Sequence, residues 1–108
     1  MDQTEKIRAL NDAVRTLRGS GQIFITAGIA ALPIEEQTEI MERVRTFTAF
    51  TPDNDPYNQH DFGSFEHADR TIFWKIDCYD RDLEYGSPDP ADEDATTRVL
   101  TVLLAEEY

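Results

Sequence analysis

Several features that other protein classes depend on are missing from this sequence. It has one cysteine in 108 residues, Cys78, so no disulfide can form within the chain, and we expect a reducing compartment, the cytoplasm. No apolar run approaches the roughly 18–20 residues of a membrane-spanning helix. The polar segment Met1–Lys6 is not typical of a signal peptide. We therefore expect no membrane partner.

Positive charge is also scarce. The chain has 10 Lys and Arg against 22 Asp and Glu, a formal net charge of −12. Proteins that bind nucleic acid directly need a basic patch to displace counterions from phosphates, so the sequence argues against that class. An anionic membrane surface is disfavoured for the same reason. No glycine-rich phosphate loop is present either.

The apolar residues, 40% of the chain, are enough for one globular domain over residues 1–108. Spacings of three and four residues predict a first helix, because they place side chains on one helix face. Its buried stripe would be Ile7, Leu10, Val14 and Leu17. Gly19 is predicted to end the helix, because glycine adopts the left-handed C-terminal conformation without a Cβ clash.

The middle of the chain predicts a strand, a helix and a hairpin. The short β-branched segment Gln22–Ala27 indicates a strand, and Pro33 begins a helix that runs to near Phe50. A hairpin follows, with strands over Asp61–Glu66 and Thr71–Tyr79. Its second strand has apolar groups on both faces, which predicts a central position in the sheet.

The C-terminal segment predicts a third helix. Asp89 and Pro90 have the residue types of an N-cap and a first helical turn. Val99, Val102 and Leu103 would form the buried stripe, although their β-branched content leaves a strand open. The predicted fold is α+β: a small, mainly antiparallel sheet with about three helices packed on it, in the order helix, strand, helix, hairpin, helix.

Negative charge is concentrated in the second half. Residues 1–50 hold seven acids and six bases, whereas residues 51–108 hold fifteen acids and four bases. The densest stretch contains eight acids: Asp77, Asp80, Asp82, Glu84, Asp89, Asp92, Glu93 and Asp94. We predict that these residues bind a partner, although a solvated surface that favours solubility remains open. If Asp80–Glu84 is extended, alternate carboxylates lie about 6.8 Å apart on one face.

A second candidate site involves the loop over residues 51–60. Asp53, Asp55, His60 and Asp61 have side chains that bind divalent metals, which leaves open a small metal-binding protein or metal-dependent enzyme. A turn in which side-chain oxygens accept from backbone N–H groups explains the same residues. Cys78 is expected to be buried and inert. We expect no catalytic residue and no cofactor.

Several sequence blocks resemble a bacterial family known only as a domain of unknown function. They span nearly the whole chain: Ile7–Asp12, Thr26–Gly28, Phe50–Tyr57, His60–Gly63, Phe73–Asp77, Tyr79–Asp80, Gly86–Pro90 and Ala105–Tyr108. The resemblance implies no established catalytic residues. It does imply a setting on plasmids, prophages and other mobile genetic elements, where small acidic proteins often inhibit host defence.

This resemblance and the charge together lead to a functional hypothesis. We expect a non-enzymatic inhibitor of a host DNA-targeting defence complex, of the anti-CRISPR or anti-restriction type. Its partner would be a protein subunit of that complex. The acidic face would occupy a channel lined with Lys and Arg, as a DNA mimic does, or bind elsewhere on the subunit.

Overall fold

A computed structural model describes residues 1–108 and shows an α+β fold with a four-stranded sheet. The helices are α1 (Gln3–Arg15), α2 (Ala27–Ala30) and α3 (Ile34–Arg45). The strands are β1 (Gln22–Ile25), β2 (Phe62–His67), β3 (Arg70–Tyr79) and β4 (Thr97–Leu104). The sheet order is β1-β4-β3-β2, and only the β1–β4 pair is parallel. The predicted mainly antiparallel α+β class is confirmed, and no helix is long and apolar enough to cross a membrane.

The predicted first helix is confirmed, but it ends earlier than predicted. The side chain of Asp2 accepts a hydrogen bond from the Glu5 N–H at 2.8 Å, which caps the helix. Ile7 and Val14 are buried. Leu17 itself adopts the left-handed conformation, with φ 64°, and is exposed. Its predicted place in the buried stripe is wrong, because the chain leaves the helix at Thr16, before Gly19.

The next segments are shorter than predicted. β1 ends at Ile25, and Ala27 begins the single turn of α2, so the predicted strand to Ala27 is too long. The helix after Pro33 is confirmed, but it ends at Arg45, well before Phe50. Arg15 explains this end, because its guanidinium donates to the carbonyl oxygens of Val44 and Phe47, both at 3.0 Å. A side chain from α1 thus satisfies carbonyls that the last turn leaves free.

The hairpin of β2 and β3 is confirmed to within one residue, and β3 is central as predicted. Ile72, Trp74 and Ile76 on β3 are buried on one face. Gly63 on β2 lies opposite Trp74. A Cβ on Gly63 would come within 2.2 Å of the Trp74 Nε1, so only glycine leaves room for the indole.

The predicted C-terminal helix is wrong. Thr97–Leu104 forms β4, which lies between β1 and β3. Arg98, Leu100 and Val102 alternate inward, toward the helices, and the strand pairs on both sides. The segment forms a strand because its main chain has hydrogen-bonding partners on two sides and because it is rich in β-branched residues. The helix prediction rested on the spacing of only three apolar positions.

The core lies between one face of the sheet and the helices. It joins residues of all three helices, such as Val14, Ile29 and Val44, to Trp74 on β3 and Leu100 on β4. On the opposite face of the sheet, Phe73 of β3 packs edge-to-face on Phe62 of β2 and on Tyr108 of the C-terminal segment, with ring centroids 5.1 and 5.7 Å apart.

Candidate functional site

The acids predicted to bind a partner lie mostly in one loop, residues 80–96 between β3 and β4, which we call the acidic loop. The loop begins as a tight turn and is not extended. The Asp80 N–H donates to the Tyr85 carbonyl at 2.8 Å, and the Leu83 N–H donates to the Asp80 carbonyl at 3.1 Å. The Asp80 side chain accepts from the Glu84 N–H at 3.0 Å. A straight row of carboxylates over Asp80–Glu84 is therefore wrong, because the turn folds the segment back on itself.

The second half of the acidic loop is also ordered by short-range hydrogen bonds. The hydroxyls of Ser87 and Thr96 are 2.6 Å apart, and the Thr96 hydroxyl donates to the Asp89 carbonyl at 2.9 Å. Asp89 accepts from the Ala91 N–H at 3.1 Å, which makes a turn and not the predicted helix start. The side chain of Asp92 instead caps the short 3-10 helix Glu93–Ala95.

Arg98 fastens the acidic loop to the rest of the fold, and Arg81 forms a hydrogen bond within the loop. Arg98 is 3% exposed, and its Nε donates to the Asn11 Oδ1 at 2.8 Å. Its Nη2 donates to the Pro90 carbonyl. Burial is the main cause that lowers the pKa of Arg98. Arg81 spans the loop more loosely, from its Nη1 to the Thr96 carbonyl at 3.4 Å.

The carboxylates of the acidic loop have no cationic partners. Seven acids lie in it: Asp80, Asp82, Glu84, Asp89, Asp92, Glu93 and Asp94. All are exposed except Asp80, which is half-buried, and none is in an ion pair. Asp77 differs, because it lies on β3 and pairs with Lys75 at 2.5 Å. The hydrogen bond from Lys75 to Asp77 is the main cause that raises the pKa of Lys75.

The candidate metal residues differ in their burial and in their hydrogen bonds. Asp53 is exposed, whereas Asp55 is buried and accepts from the N–H groups of Gln59 and His60 at 3.0 and 3.2 Å. Asp61 is half-buried, and its desolvation is the main cause that raises the pKa of its carboxyl. No group of three or more His, Cys, Asp or Glu side chains is arranged to hold a metal ion.

His60 connects this loop to α1. Its Nδ1 lies 2.8 Å from Asp12, and its Nε2 lies 3.7 Å from Asp55. Its ring stacks on Phe50 with the ring centroids 3.7 Å apart. The other imidazole, His67, lies beside Glu36 and Glu39 of α3, so the two histidines lie in different parts of the fold. The contacts of His60 hold the loop against the helix.

Cys78 faces the same buried polar region as Arg98. It is half-buried, and burial raises the pKa of its thiol, so little thiolate forms at neutral pH. Its Sγ lies 4.0 Å from the Asn11 Oδ1.

The sequence did not predict the role of Asn11, which anchors both the loop over residues 51–60 and the acidic loop. Asn11 is 1% exposed; besides accepting from Arg98, it donates to the Gln59 carbonyl at 2.9 Å. The one available signal was its position in α1, between Ile7 and Val14 at helical spacing, where an apolar residue is expected. A polar residue there indicates a buried hydrogen bond.

Comparison with known proteins places the chain in a family. A family model described as "Protein of unknown function (DUF3768)" matches residues 25–107. The chain belongs to the DUF3768 family. The match to DUF3768 begins at the last residue of β1 and covers α2, α3, the other three strands and the whole acidic loop. The expected membership of a family of unknown function is thus confirmed. No curated protein and no solved structure matches the chain.

Proposed function

We propose that the protein is a non-enzymatic inhibitor that binds, through its acidic loop, to a basic surface on a subunit of a host DNA-targeting defence complex in the bacterial cytoplasm. The observation that carries the proposal is the set of seven carboxylates without cationic partners, held on an ordered loop. The two arginines near these carboxylates, Arg81 and Arg98, bond to neutral acceptors and do not neutralise them.

The order of the loop matters for affinity. Association loses free energy when loops and side chains become ordered, and a loop that is already hydrogen-bonded avoids part of that loss. The bonds from Asp80, Ser87 and Thr96, together with Arg98, provide this order before binding. Unneutralised carboxylates also attract a basic surface over a distance, which raises the association rate.

The shape of the loop favours a compact basic surface. A DNA strand presents one charge about every 3.4 Å along a line. The turn at Asp80–Leu83 and the 3-10 helix Glu93–Ala95 instead gather the acids into a folded cluster. We infer that the partner surface is a pocket or patch of Lys and Arg on the protein subunit, and that a long nucleic-acid groove is a poorer fit.

A transformation assay tests this function. Bacteria that carry a CRISPR or restriction system are transformed with a targeted plasmid, with and without the protein. We expect the protein to raise the yield of transformants. We expect Asp82→Lys/Glu84→Lys to reduce that gain about tenfold or more. The two side chains make no hydrogen bond within the fold, so reversing their charge leaves folding intact.

The matched control is Glu5→Lys/Glu106→Lys. Both residues are exposed and without ion pairs, and this variant changes the net charge by the same amount. We expect it to protect the plasmid as the unaltered protein does. Absence of protection across a panel of defence systems would refute the proposal, as would an equal loss in both variants. Micromolar binding to duplex DNA in a gel shift would also contradict it, since a −12 protein that docks on a basic surface repels phosphates.

A further inference from the structure

An exposed part of this highly charged protein carries no charge at all. Residues 19–34 form the longest run without Asp, Glu, Lys or Arg, sixteen positions in a chain that is 30% charged. Twelve of these residues are exposed. The run contains β1 and α2, together with the segment that leads into α3. A solvated surface in such a protein normally carries charge, so the run needs another explanation.

The centre of the run is an open edge of the sheet. β1 pairs with β4 on one side and with nothing on the other. Ile23, Phe24 and Ile25 are 40%, 53% and 39% exposed. Natural proteins usually protect an edge strand with a charged residue, a proline or a covering element, because an open edge pairs with other chains. β1 has neither a charge nor a proline.

The backbone of β1 offers unused hydrogen-bonding groups. The Thr26 N–H donates to the Val102 carbonyl at 3.1 Å, so residue 26 faces β4. Backbone groups of successive residues alternate between the two sides of a strand. The N–H and C=O groups of Ile23 and Ile25 therefore point to the open edge.

We propose that a second copy of this chain pairs with β1 in antiparallel fashion, across a two-fold axis at Phe24. The sequence Ile23-Phe24-Ile25 reads the same in both directions. Each Ile23 would therefore lie opposite Ile25 of the other copy, where the outward groups of both exchange hydrogen bonds. The two Phe24 side chains would meet on the same face at the axis, where cross-strand aromatic pairs are favourable. The two sheets would become one continuous sheet.

The net charge of the chain favours a second copy of it as the partner that pairs with β1. Two molecules of −12 repel each other, so they approach most easily where neither carries carboxylates. The uncharged run contributes no carboxylate of its own, and a two-fold axis at Phe24 brings it against itself. The carboxylates that contact the run, those of Glu93 at Ser20 and of Glu107 at Thr26 and Gly28, lie on either side of that axis. A basic partner would instead be drawn to the acidic loop.

The size of the surface sets the strength of the dimer. A standard interface uses about 20–30 residues on each side. The uncharged run offers twelve exposed residues, roughly half of that. We therefore expect a reversible dimer that forms at high micromolar concentration. Added salt should strengthen it, because salt screens the repulsion between the two acidic molecules. Binding of a basic partner through the acidic loop should instead weaken as salt is added, so the two interactions respond to salt in opposite directions.

Sedimentation equilibrium over low-micromolar to near-millimolar concentration, at low and high sodium chloride, tests the dimer. We expect the unaltered protein to dimerise more strongly at high salt, and Phe24→Lys to remain monomeric throughout. The control is Tyr85→Lys, which places lysine at another exposed aromatic residue and should dimerise as the unaltered protein does. A monomer at all concentrations and both salts would overturn the proposal.

A second variant covers the case in which Phe24→Lys fails to fold. Ile23→Pro removes an outward N–H and leaves the pairing groups that face β4, so it should also be monomeric while its thermal melt stays cooperative. Dimers that persist in both Phe24→Lys and Ile23→Pro would show that another surface is used and refute the β1 edge. The variant Asp82→Lys/Glu84→Lys should still dimerise, which separates this inference from the proposed function.

Discussion

The carboxylate of Glu107 joins the C-terminal segment to the start of α2, and its removal should measurably destabilise the fold. It accepts hydrogen bonds from the Thr26 hydroxyl at 2.6 Å, the Gly28 N–H at 3.0 Å and the Leu104 N–H at 2.9 Å. The bond from Thr26 is the largest of the causes that lower the pKa of Glu107. A Cβ on Gly28 would lie 2.6 Å from the Glu107 Oε1, so glycine allows this close approach.

We expect Glu107→Gln to lower the free energy of unfolding by about 1 kcal/mol, the usual loss for a helix cap. Three hydrogen bonds to a charged group would have a larger effect in a buried site, but this side chain is exposed to solvent, which weakens each bond. In a domain of this size the loss corresponds to a decrease of about 4–8 °C in melting temperature. Thermal melts and urea denaturation at pH 7 measure it.

The effect should depend on pH in a defined direction. The pKa of Glu107 in the folded protein lies below that of an unfolded glutamate, about 4.3. Its stabilisation is therefore complete above pH ~4.3 and is lost as the pH falls through the folded pKa. The difference between the unaltered protein and Glu107→Gln should be largest near pH 7 and should shrink as the solution becomes more acidic than pH ~4.3.

The matched control is Glu106→Gln, which removes the same charge from the neighbouring exposed position, where the carboxylate accepts no hydrogen bond. It should change the melting temperature little. A double-mutant cycle between Thr26→Ala and Glu107→Gln should give a coupling of about 0.5–1 kcal/mol. Equal effects of Glu106→Gln and Glu107→Gln, or a difference that persists unchanged in acid, would refute this reasoning.

Two further predictions concern the sheet and the adjoining loop. Gly63→Ala should destabilise the protein by about 2 kcal/mol or more in urea denaturation, because the new methyl would overlap the indole of Trp74, whereas Gly86→Ala, with no atom within 4 Å of the new Cβ, should be nearly neutral. Asp61→Asn should raise the melting temperature at pH 7, because desolvation raises the pKa of this carboxyl and disfavours its charged form. The charges of nearby acids raise the pKa further, and a backbone hydrogen bond lowers it. That gain should shrink as the pH falls through the raised folded pKa and should be gone below the unfolded pKa of about 3.9, so a gain unchanged at pH ~3 would contradict the prediction.

The candidate site was predictable in composition but not in shape. The charge count alone located the acids of residues 77–94 in one stretch. It could not show that Asp77 is neutralised by Lys75 while the acids of the acidic loop lack cationic partners. That distinction depends on which face of β3 each side chain occupies and on the turn at Asp80, both of which follow from strand pairing with distant residues.

Local patterns by themselves determined the parts of the fold that depend on neighbouring residues. Helical spacing predicts α1, and apolar groups on both faces of β3 predict a central strand. Tertiary contacts alone decided the rest. The segment Thr97–Leu104 is a strand because β1 and β3 satisfy its backbone on both sides. Arg15, Asn11 and Arg98 are buried because residues far away in the chain form hydrogen bonds with their side chains. Short-range periodicity reports which face of an element is apolar, but not which distant groups will complete its hydrogen bonds.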